Sequence, residues 1–385
     1  MLNVIMEKVA IIDPLGAHGS SHHFYLYGQL KGLSGNDTAA SLYTNSQTKD
    51  PFLYGVKFHQ TFGNLFASDY KIVSGIRYIV GSIRSLLHAR FSGCGVFHFN
   101  VFDIDILMLF NLVLVKILFG KAVLTVHDVA SFAQRRQSLH ISTLVYTMTD
   151  LILTHNQFSK DEMIKSHSSL DKKIHLVPHG NYLPFINIQK DKKKAREYLD
   201  LPSEKSIVLF FGMIKKVKGL DLLLRSFRKV VDIRPNTILL IAGKIWQDDF
   251  TFYQQIIDRY QLSENIILHK RFIPHNDVEY YYGASDLVVL PYKRIYQSGV
   301  LMMALSYGRP ALVSDLPPFK EIIIDNENGF LFETEDVSDL AEKLIVVLSD
   351  KQNLLRVQKN GKESIKNQFD WHKIGQLTKK AYQTL

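Results

Sequence analysis

The chain has 385 residues, too many for one ordinary domain, and a composition of 46% hydrophobic and 22% charged residues excludes a disordered or fibrous protein. Cys94 is the only cysteine, which excludes an intramolecular disulfide or a cysteine-cluster metal site and favours a reducing compartment. The net charge of +9 suggests an anionic partner, but the excess is five over residues 1–190 and four over residues 191–385, with no dense basic stripe. We therefore expect phosphorylated small molecules or an anionic membrane rather than nucleic acid.

The sequence shows neither a secretion signal nor a clear membrane span. Its N-terminus has no basic segment followed by a long apolar one. The most apolar stretch, Ile104–Gly120, contains Asp105, Asn111 and Lys116 and falls short of the ~20 apolar residues of a transmembrane helix. We expect a cytoplasmic protein, and peripheral contact with the inner face of the membrane remains open.

In the first half, short β-branched runs alternate with amphipathic stretches, notably Asp69–Arg90 and Phe102–Phe119. Such alternation predicts parallel β-α-β units in a doubly wound sheet. The predicted strands are Val9–Asp13, Ala40–Thr44, Val96–Val101, Ala122–His127, Leu151–His155 and Ile174–Pro178.

A charged segment separates the two halves. Pro184 and the run Lys192–Lys194 place a linker near 185–203, with one domain at 1–190 and another at 191–368. The last segment, 369–385, contains Trp371 and predicts a helix that packs back towards the N-terminal domain.

The second half repeats the alternation, so we predict an α/β protein with two doubly wound, Rossmann-like domains that face each other across a cleft. The predicted strands are Ser206–Gly212, Thr237–Gly243, Ile266–Arg271, Leu287–Tyr292, Pro310–Ser314 and Gly329–Phe332. The predicted helices are Leu220–Ile233, Asp249–Tyr260, Asp277–Gly283, Ser298–Tyr307 and Val337–Ser349.

Several common signatures are missing from the sequence. It has no GxGxxG after the first strand, and no GxxxxGK[ST], HExxH or GxSxG. This argues against a dehydrogenase, a P-loop enzyme, a zincin and an α/β-hydrolase. His18, His22 and His23 lie close in sequence, but no carboxylate or cysteine pattern accompanies them, so no metal site is expected.

Two segments of the second half place a helix N-terminus after a buried strand. In the first, a strand ends at Gly212, a loop carries three lysines, and Gly219 opens a helix. In the second, Ser298 is a good N-cap and Gly299 permits close approach of a ligand. Both suit phosphate binding, because a helix N-terminus offers free N–H groups. The alternatives are a solvated loop with ordinary lysines and a capped core helix.

In this order, and with Tyr280–Pro291 between them, the two segments resemble the donor-binding domain of GT-B nucleotide-sugar glycosyltransferases, specifically glycosyltransferase family 4. The resemblance spans nearly all of 203–385 and is looser in the first half. The other segments that carry it are Gly308–Pro310, Leu316–Ile322, Asn328–Phe332, Gly16–Gly19, Leu124–Asp128, Thr154–Ser159 and Leu176–Gly180.

The resemblance implies that the first domain binds the acceptor and that the second binds the nucleotide sugar. Lys218 falls on the family's diphosphate-binding lysine and would act catalytically by stabilising the leaving group, so no metal or other cofactor is expected. Lys215 replaces an arginine, which keeps the charge but loses the bidentate fork. The implied diphosphate-binding residues are Gly212, Lys215, Lys218, Ser298, Gly299 and Val300.

One departure from the family concerns the donor sugar. Most members carry Glu-x7-Glu before the Gly-x-Pro turn, whereas these positions hold Ile295 and Met303 here. A branch with Gln-Ser-Gly at this loop resembles this chain, which makes Gln297 our candidate for the donor sugar or ribose.

The resemblance also implies two further contacts with the donor. Glu321 is a second candidate for the sugar or ribose; it is expected to begin a short helix, and a helix N-terminal Glu favoured by the dipole is the alternative. Ile273 and Pro274 occupy the family's base-contacting loop.

In the first half, the resemblance assigns Gly16, His18 and Gly19 to a loop that touches donor or acceptor, with a flexible turn as the alternative. His127 ends a predicted strand and is the candidate catalytic histidine, which would hydrogen-bond a sugar hydroxyl or assist proton transfer. A strand-end histidine bonded to backbone is the alternative. His98 and His179 are weaker candidates.

These features predict a metal-independent, retaining glycosyltransferase that moves a hexose from a GDP- or UDP-linked sugar to a hydroxyl acceptor. The acceptor would be a saccharide, possibly lipid-linked, in bacterial surface polysaccharide synthesis. Two alternatives stay open: a nucleotide-sugar epimerase of the same fold, and a non-catalytic nucleotide-sugar-binding subunit.

Overall fold

A computed structural model describes residues 8–18, 21–68, 70–130, 139–186, 191–246 and 249–385. The chain forms two compact units: the first comprises Met1–Gly180 and Phe369–Leu385, and the second comprises Asn181–Gln368. The division thus lies ten residues before the predicted boundary. Within the described ranges, no helix combines the length and the apolar character that crossing a membrane requires.

The first unit contains a parallel sheet with strand order β3-β2-β1-β4-β5-β6-β7. Its strands are β1 (Lys8–Asp13), β2 (Ala40–Asn45), β3 (Val56–Phe62), β4 (Cys94–Val101), β5 (Lys121–Val126), β6 (Leu151–Thr154) and β7 (Ile174–Leu176). Its first five helices are α1 (His22–Ser34), α2 (Lys71–Phe91), α3 (Ile106–Ile117), α4 (Leu139–Met148) and α5 (Gln157–Ser166). The predicted doubly wound sheet is confirmed.

Strand β3 was not predicted from the sequence. It is an edge strand that pairs with β2 from Ala40↔Val56 to Asn45↔Phe62. Its sequence, VKFHQTF, is half polar, and most of its residues are partly or fully exposed. An edge strand needs no continuous apolar run, so the apolar pattern that identified the buried strands is missing here.

The second unit contains another parallel sheet, ordered β10-β9-β8-β11-β12-β13. Its strands are β8 (Ser206–Phe211), β9 (Thr237–Ala242), β10 (Ile266–His269), β11 (Leu287–Leu290), β12 (Ala311–Ser314) and β13 (Phe330–Phe332). Its helices are α6 (Lys192–Tyr198), α7 (Leu220–Ile233), α8 (Phe250–Arg259), α9 (His275–Ala284), α10 (Gly299–Ser306), α11 (Pro317–Lys320), α12 (Val337–Ser349) and α13 (Lys351–Gln368). All six predicted strands are confirmed to within two residues.

The predicted linker at 185–203 was wrong in part, because it contains helix α6. The Asp191 side chain caps this helix by accepting from the N–H of Lys193. Arg196 is buried and pairs with Asp286, with 2.9 Å between Nη2 and Oδ2. A run of lysines on a short capped helix therefore resembled a solvated linker in the sequence.

Helix α13 was also not predicted. It is polar overall, and its fully buried residues are Val357, Gly361 and Ile365, four residues apart. This spacing buries one position per turn, which is too narrow an apolar stripe to stand out among lysines and glutamines.

The last helix, α14 (Trp371–Tyr382), belongs to the first unit and packs on α1. The two helices approach closely at glycines, since a Cβ on Gly375 would lie 2.0 Å from the Gly32 carbonyl oxygen. The Trp371 ring fills the space beside Gly28 and Gly180, where added Cβ atoms would lie 2.0 and 2.3 Å from its Cε2. The end of the chain is therefore a structural part of the first unit.

Candidate functional site

The strand order of the second unit reverses between β8 and β11, which are neighbours in the sheet. In open parallel sheets, ligands bind beyond the carboxyl ends of the strands at such a reversal. The loops that leave these two strands are 212–219 and 291–298, the same two segments that the sequence singled out. The topology therefore brings both candidate phosphate loops to one edge.

The loop after β8 is held by the loop after β9. Gly212 has φ +96 and donates its N–H to the Ala242 carbonyl over 2.9 Å. Ile214 pairs with Ile245 as an isolated bridge. A Cβ on Gly243 would lie 1.9 Å from the Gly212 carbonyl oxygen, so the two loops touch through backbone.

The loop after β8 is also joined to the loop after β11. Gly219, with φ +64, starts α7 so close to β11 that a Cβ would lie 1.8 Å from the Pro291 oxygen. Lys293 donates its N–H to the Val217 carbonyl over 2.8 Å, and its ammonium pairs with Asp221 at 2.9 Å. Glycine is required at 219 by both its backbone conformation and the close approach.

Lys218 lies at the centre of this edge. A Cβ added to Gly212 would lie 3.1 Å from the Lys218 Nζ and 3.3 Å from the Val300 Cγ2. Burial, and to a lesser extent the charge of Lys215, lowers the pKa of Lys218 to about 7. Within the described ranges Lys218 forms no ion pair, and its Nζ lies 5.3 Å from the ring centroid of Tyr292. The structure therefore holds a desolvated ammonium that an anion would stabilise.

The ammonium of Lys215 contacts the face of an aromatic ring in the neighbouring loop. Its Nζ lies 3.9 Å from the ring centroid of Trp246. A cation over an indole face is attracted by the ring quadrupole, which fixes the flexible side chain. Trp246 was not predicted as a site residue, and nothing in the sequence pattern after β9 indicated this contact.

The N-terminus of α10 supplies the other half of the edge. The Ser298 Oγ accepts from the N–H of Leu301 over 3.1 Å, which confirms the predicted N-cap. Gly299 is open except on the side of Tyr182, whose hydroxyl would lie 3.0 Å from an added Cβ. The Gln297 Oε1 is buried without a hydrogen-bond partner among the described residues. An unsatisfied buried acceptor is costly, which fits a group that awaits a ligand donor.

The remaining candidates of the second unit are Ile273, Pro274 and Glu321. Ile273 is buried and Pro274 is exposed at the start of α9, after β10. Glu321 is exposed and was expected to begin a short helix, but it ends α11 instead. Prolines 317 and 318 occupy the first helical turn, where a missing N–H costs nothing, so the helix begins before Glu321.

In the first unit, polar side chains occupy the carboxyl ends of five neighbouring strands. Asp13 ends β1 and Asn100 lies near the end of β4, while three histidines follow β5, β6 and β7. These histidines are His127, His155 and His179, and all three are buried. The sequence drew attention to His127 and, more weakly, to His179, but it did not predict the cluster.

The hydrogen bonds of this cluster indicate which histidine ring nitrogens carry a proton. His155 Nδ1 lies 3.0 Å from the Val177 carbonyl oxygen, so it donates, and its Nε2 must accept. It accepts from Nδ1 of His127 over 3.0 Å. The His127 Nε2 lies 3.1 Å from the Asn100 Oδ1. A neutral His127 that donates from Nδ1 can only accept at Nε2, so this order of protons requires the Asn100 amide to be turned with its NH2 group towards the ring.

Burial keeps these imidazoles neutral. It lowers the pKa of His127 well below the usual value, and the neighbouring histidines, led by His155, lower it further. Burial also lowers the pKa of His155 to about 4 and that of His179 to about 3. His127 is therefore a neutral, fixed hydrogen-bonding group, which favours the first of its two predicted roles over proton transfer.

A second pair anchors the other end of the cluster. His22 Nε2 donates to Asp13 Oδ2 over 2.7 Å, and the other oxygen of Asp13 accepts from the N–H of Gly16 over 2.7 Å. Asp13 and His22 were not predicted from the sequence as site residues, although Asp13 ends the first predicted strand. A polar residue at the carboxyl end of a buried strand is the signal that could have found it.

The predicted loop of the first unit is packed against β2. Gly16 has φ +47, and a Cβ there would lie 1.9 Å from the Thr48 Oγ1. His18 stacks on Phe66 with 3.7 Å between ring centroids and lies 2.9 Å from Gln47 Oε1. Gly19 lies outside the described residues. Packing alone accounts for the glycine at position 16.

Among the described residues, no group of three or more His, Cys, Asp or Glu side chains could hold a metal ion. His18, His22 and His23 point to separate surroundings: His18 lies against Phe66, His22 is bound to Asp13, and His23 lies against Phe24.

Comparison with known families adds a decisive observation. Residues 191–364 match the family described as glycosyl transferases group 1. The chain contains a glycosyl transferases group 1 domain. This domain covers β8, β11 and the two loops at the reversal of the second sheet, so the candidate phosphate edge lies inside it.

Two curated relatives match part of the chain. The capsular polysaccharide biosynthesis glycosyltransferase CapM of Staphylococcus aureus is 24% identical over 249 residues, which cover 62% of this chain and 63% of CapM. The GDP-mannose:glycolipid 4-beta-D-mannosyltransferase of Xanthomonas campestris pv. campestris is 29% identical over 175 residues, 46% of this chain and 48% of that protein. The chain thus spans 48 to 63% of the length of these relatives.

A solved structure matches almost the whole chain. Anabaena Alr3699/HepE, in complex with UDP and glucose, aligns with 98% of this chain and 100% of its own, with a TM-score of 0.76 and 17% identity. At this identity the likeness shows the fold. The group 1 domain is therefore found in a protein with two parallel-sheet, Rossmann-like units of the GT-B type.

Proposed function

We propose that this protein is a glycosyltransferase that moves a hexose from a GDP- or UDP-linked sugar to a hydroxyl of a saccharide acceptor. The observation that carries the proposal is the edge of the second unit, where Lys218, Gly212 and Val300 meet within a few ångströms. A partly buried ammonium that has no ion-pair partner among the described residues, beside an open helix N-terminus, suits a diphosphate.

The donor diphosphate would be bound between the lysine loop and the start of α10. Lys215 and Lys218 would neutralise its charge, and the N–H groups of Gly299 and Val300 would donate to its oxygens. As the sugar–phosphate bond breaks, negative charge grows on the diphosphate, and these fixed groups stabilise it most in the transition state. The proposal needs no metal ion, so chelators should leave activity unchanged.

The other predicted contacts complete the donor site. The buried, unsatisfied Oε1 of Gln297 would accept a hydrogen bond from a sugar or ribose hydroxyl. Glu321 is a second candidate for the same group, and Ile273 and Pro274 would lie along the base. Following the resemblance to glycosyltransferase family 4 and its Gln-Ser-Gly branch, we propose transfer with retention of configuration.

The first unit would bind the acceptor along its histidine-lined edge. His127 is neutral and fixed by Asn100 and His155, so it would hydrogen-bond a substrate hydroxyl rather than carry a proton. Two relatives support a surface saccharide: the name of CapM refers to capsular polysaccharide, and that of the Xanthomonas protein to a glycolipid. We propose a lipid-linked saccharide at the membrane surface.

The donor is tested by thermal shift with UDP, GDP, ADP and their common sugars, in the presence of a chelator. One nucleotide should stabilise the protein by about 2.7 kcal/mol at a hundred times its Kd. Nucleotide binding should also change the fluorescence emission of Trp246, because its ring is in contact with the Lys215 ammonium. A folded sample that responds to none of these ligands would contradict the proposal and favour the non-catalytic alternative.

The affinity for the nucleotide should fall as the pH rises above 7. The pKa of Lys218 is about 7 in the free protein, and a bound diphosphate favours its charged form. Binding below pH 7 therefore needs no proton uptake, whereas above pH 7 affinity should fall by up to about tenfold per pH unit. Titration of Trp246 emission against pH measures this.

Lys218→Arg is the matched variant for this test, because a guanidinium stays charged throughout the range. It should give a flat profile above pH 7 while retaining binding, and it also corrects for titration of the nucleotide phosphates. An equally steep profile in this variant would show that another group is responsible.

A further inference from the structure

We infer that the outward face of α2, continued by α3, is a docking surface for an anionic lipid bilayer. The inference deepens the membrane contact of the proposed function and rests on it only for its biological purpose. It depends on exposed side chains and charge in the first unit, not on the donor site.

Helix α2 carries an apolar stripe on the side that faces away from the sheet. The stripe residues follow one another at intervals of four, four, three, four and four, which places them on one helix face. The opposite face is buried against the strands, as at Gly81, where a Cβ would lie 2.4 Å from the Phe62 ring. The exposed stripe consists of Ile72, Ile76, Val80, Ile83, Leu87 and Phe91.

Helix α3 extends this surface. It packs beside α2, and its Asn111 Nδ2 donates to the Tyr78 hydroxyl over 2.8 Å. Its residues Ile106, Val113 and Ile117 are exposed and again lie on one face. Soluble proteins rarely expose apolar patches of this extent without a partner, so the surface needs an occupant.

The charge around the stripe points to an anionic bilayer. Residues 51–117, which include both helices, contain six basic residues and three acidic ones, Asp69, Asp103 and Asp105, so this segment carries +3 of the chain's +9. Arg77 and Arg84 are seven residues apart and therefore lie along one edge of the stripe. Exposed apolar side chains flanked by basic ones favour binding in the plane of an anionic interface. A second copy of the chain would instead bring like charges together.

The test is co-sedimentation of the full chain with vesicles. It is measured without nucleotide or sugar, so that a failure to bind membrane is distinct from a failure to transfer sugar. The protein should bind vesicles of phosphatidylcholine with phosphatidylglycerol far better than vesicles of phosphatidylcholine alone. Lys71→Gln with Arg84→Gln should weaken binding about thirtyfold, since each basic side chain near the surface contributes about a factor of five. Ile72→Gln with Ile76→Gln should weaken it at least about tenfold.

The second unit offers matched controls. Val346→Gln with Leu355→Gln removes apolar groups of similar exposure, and Lys351→Gln with Lys359→Gln removes exposed charges. These variants should bind vesicles like the wild type, and the α2 variants should keep the nucleotide response of Trp246. Equal binding to neutral vesicles, or α2 variants that bind normally, would overturn the inference. The alternative result is a wild-type protein that forms a dimer and fails to bind vesicles. If Ile72→Gln with Ile76→Gln then made it monomeric, the surface would be assigned to a second copy of the chain.

Discussion

Lys218→Ala should lower kcat/KM for sugar transfer by about 10²–10³-fold, the cost of removing one preorganised group that stabilises transition-state charge. Lys218 is the charged side chain that the structure places against Gly212, at the reversal of the second sheet. Its ammonium is desolvated and has no ion-pair partner among the described residues, so its loss removes a binding group without leaving an unpaired carboxylate. Steady-state kinetics and the nucleotide titration measure the effect.

Lys216→Ala is the matched control for this prediction. Lys216 lies in the same loop and is exposed, so its removal should leave kcat/KM close to that of the wild type. The thermal midpoint of Lys218→Ala should not fall, because a partly buried charge is lost and not created. Unchanged nucleotide affinity in a folded Lys218→Ala protein would disprove the diphosphate assignment.

The parts of this fold that sequence reasoning predicted are those with strong local patterns. Helix α7, for example, has the predicted bounds Leu220–Ile233, because its apolar face recurs every three to four residues. The candidate phosphate edge was singled out in the sequence because a loop with lysines and an N-cap serine each follow a buried strand. Parallel topology then brings loops that are some 70 residues apart in sequence to one edge.

The parts that it missed depend on long-range packing. Edge strand β3 and helix α13 bury too few residues to show a clear period. The histidine cluster joins residues 13, 22, 100, 127, 155 and 179, whose neighbourhood exists only once five strands lie side by side. Trp246 contacts Lys215 because the loops after β8 and β9 pair, and no local pattern reports that pairing.

The C-terminal helix shows how such packing can fix a site at a distance. Trp371 lies beside Gly28 of α1 and Gly180, and the Gly180 carbonyl accepts from His179 Nδ1 over 2.7 Å. The Tyr25 ring, 5.5 Å from Trp371 between centroids, is 4.8 Å from His127. The ring of Trp371 therefore supports the same histidines that are proposed to bind the acceptor.

Trp371→Ala should destabilise the first unit by about 3–5 kcal/mol, the usual cost of replacing a buried large aromatic side chain by alanine. The cavity cannot close easily, because glycines line it on two sides and the α1–α14 contact already brings backbone against backbone. In urea the first unit should unfold early by circular dichroism, while the emission of Trp246 reports the second unit at its normal midpoint.

Leu377→Ala, on an exposed position of the same helix, is the matched control and should change stability by less than about 0.5 kcal/mol. If both variants unfold like the wild type, the last helix is not part of the core of the first unit. If Trp371→Ala shifts both transitions equally, the two units unfold together, and the destabilisation belongs to the whole chain.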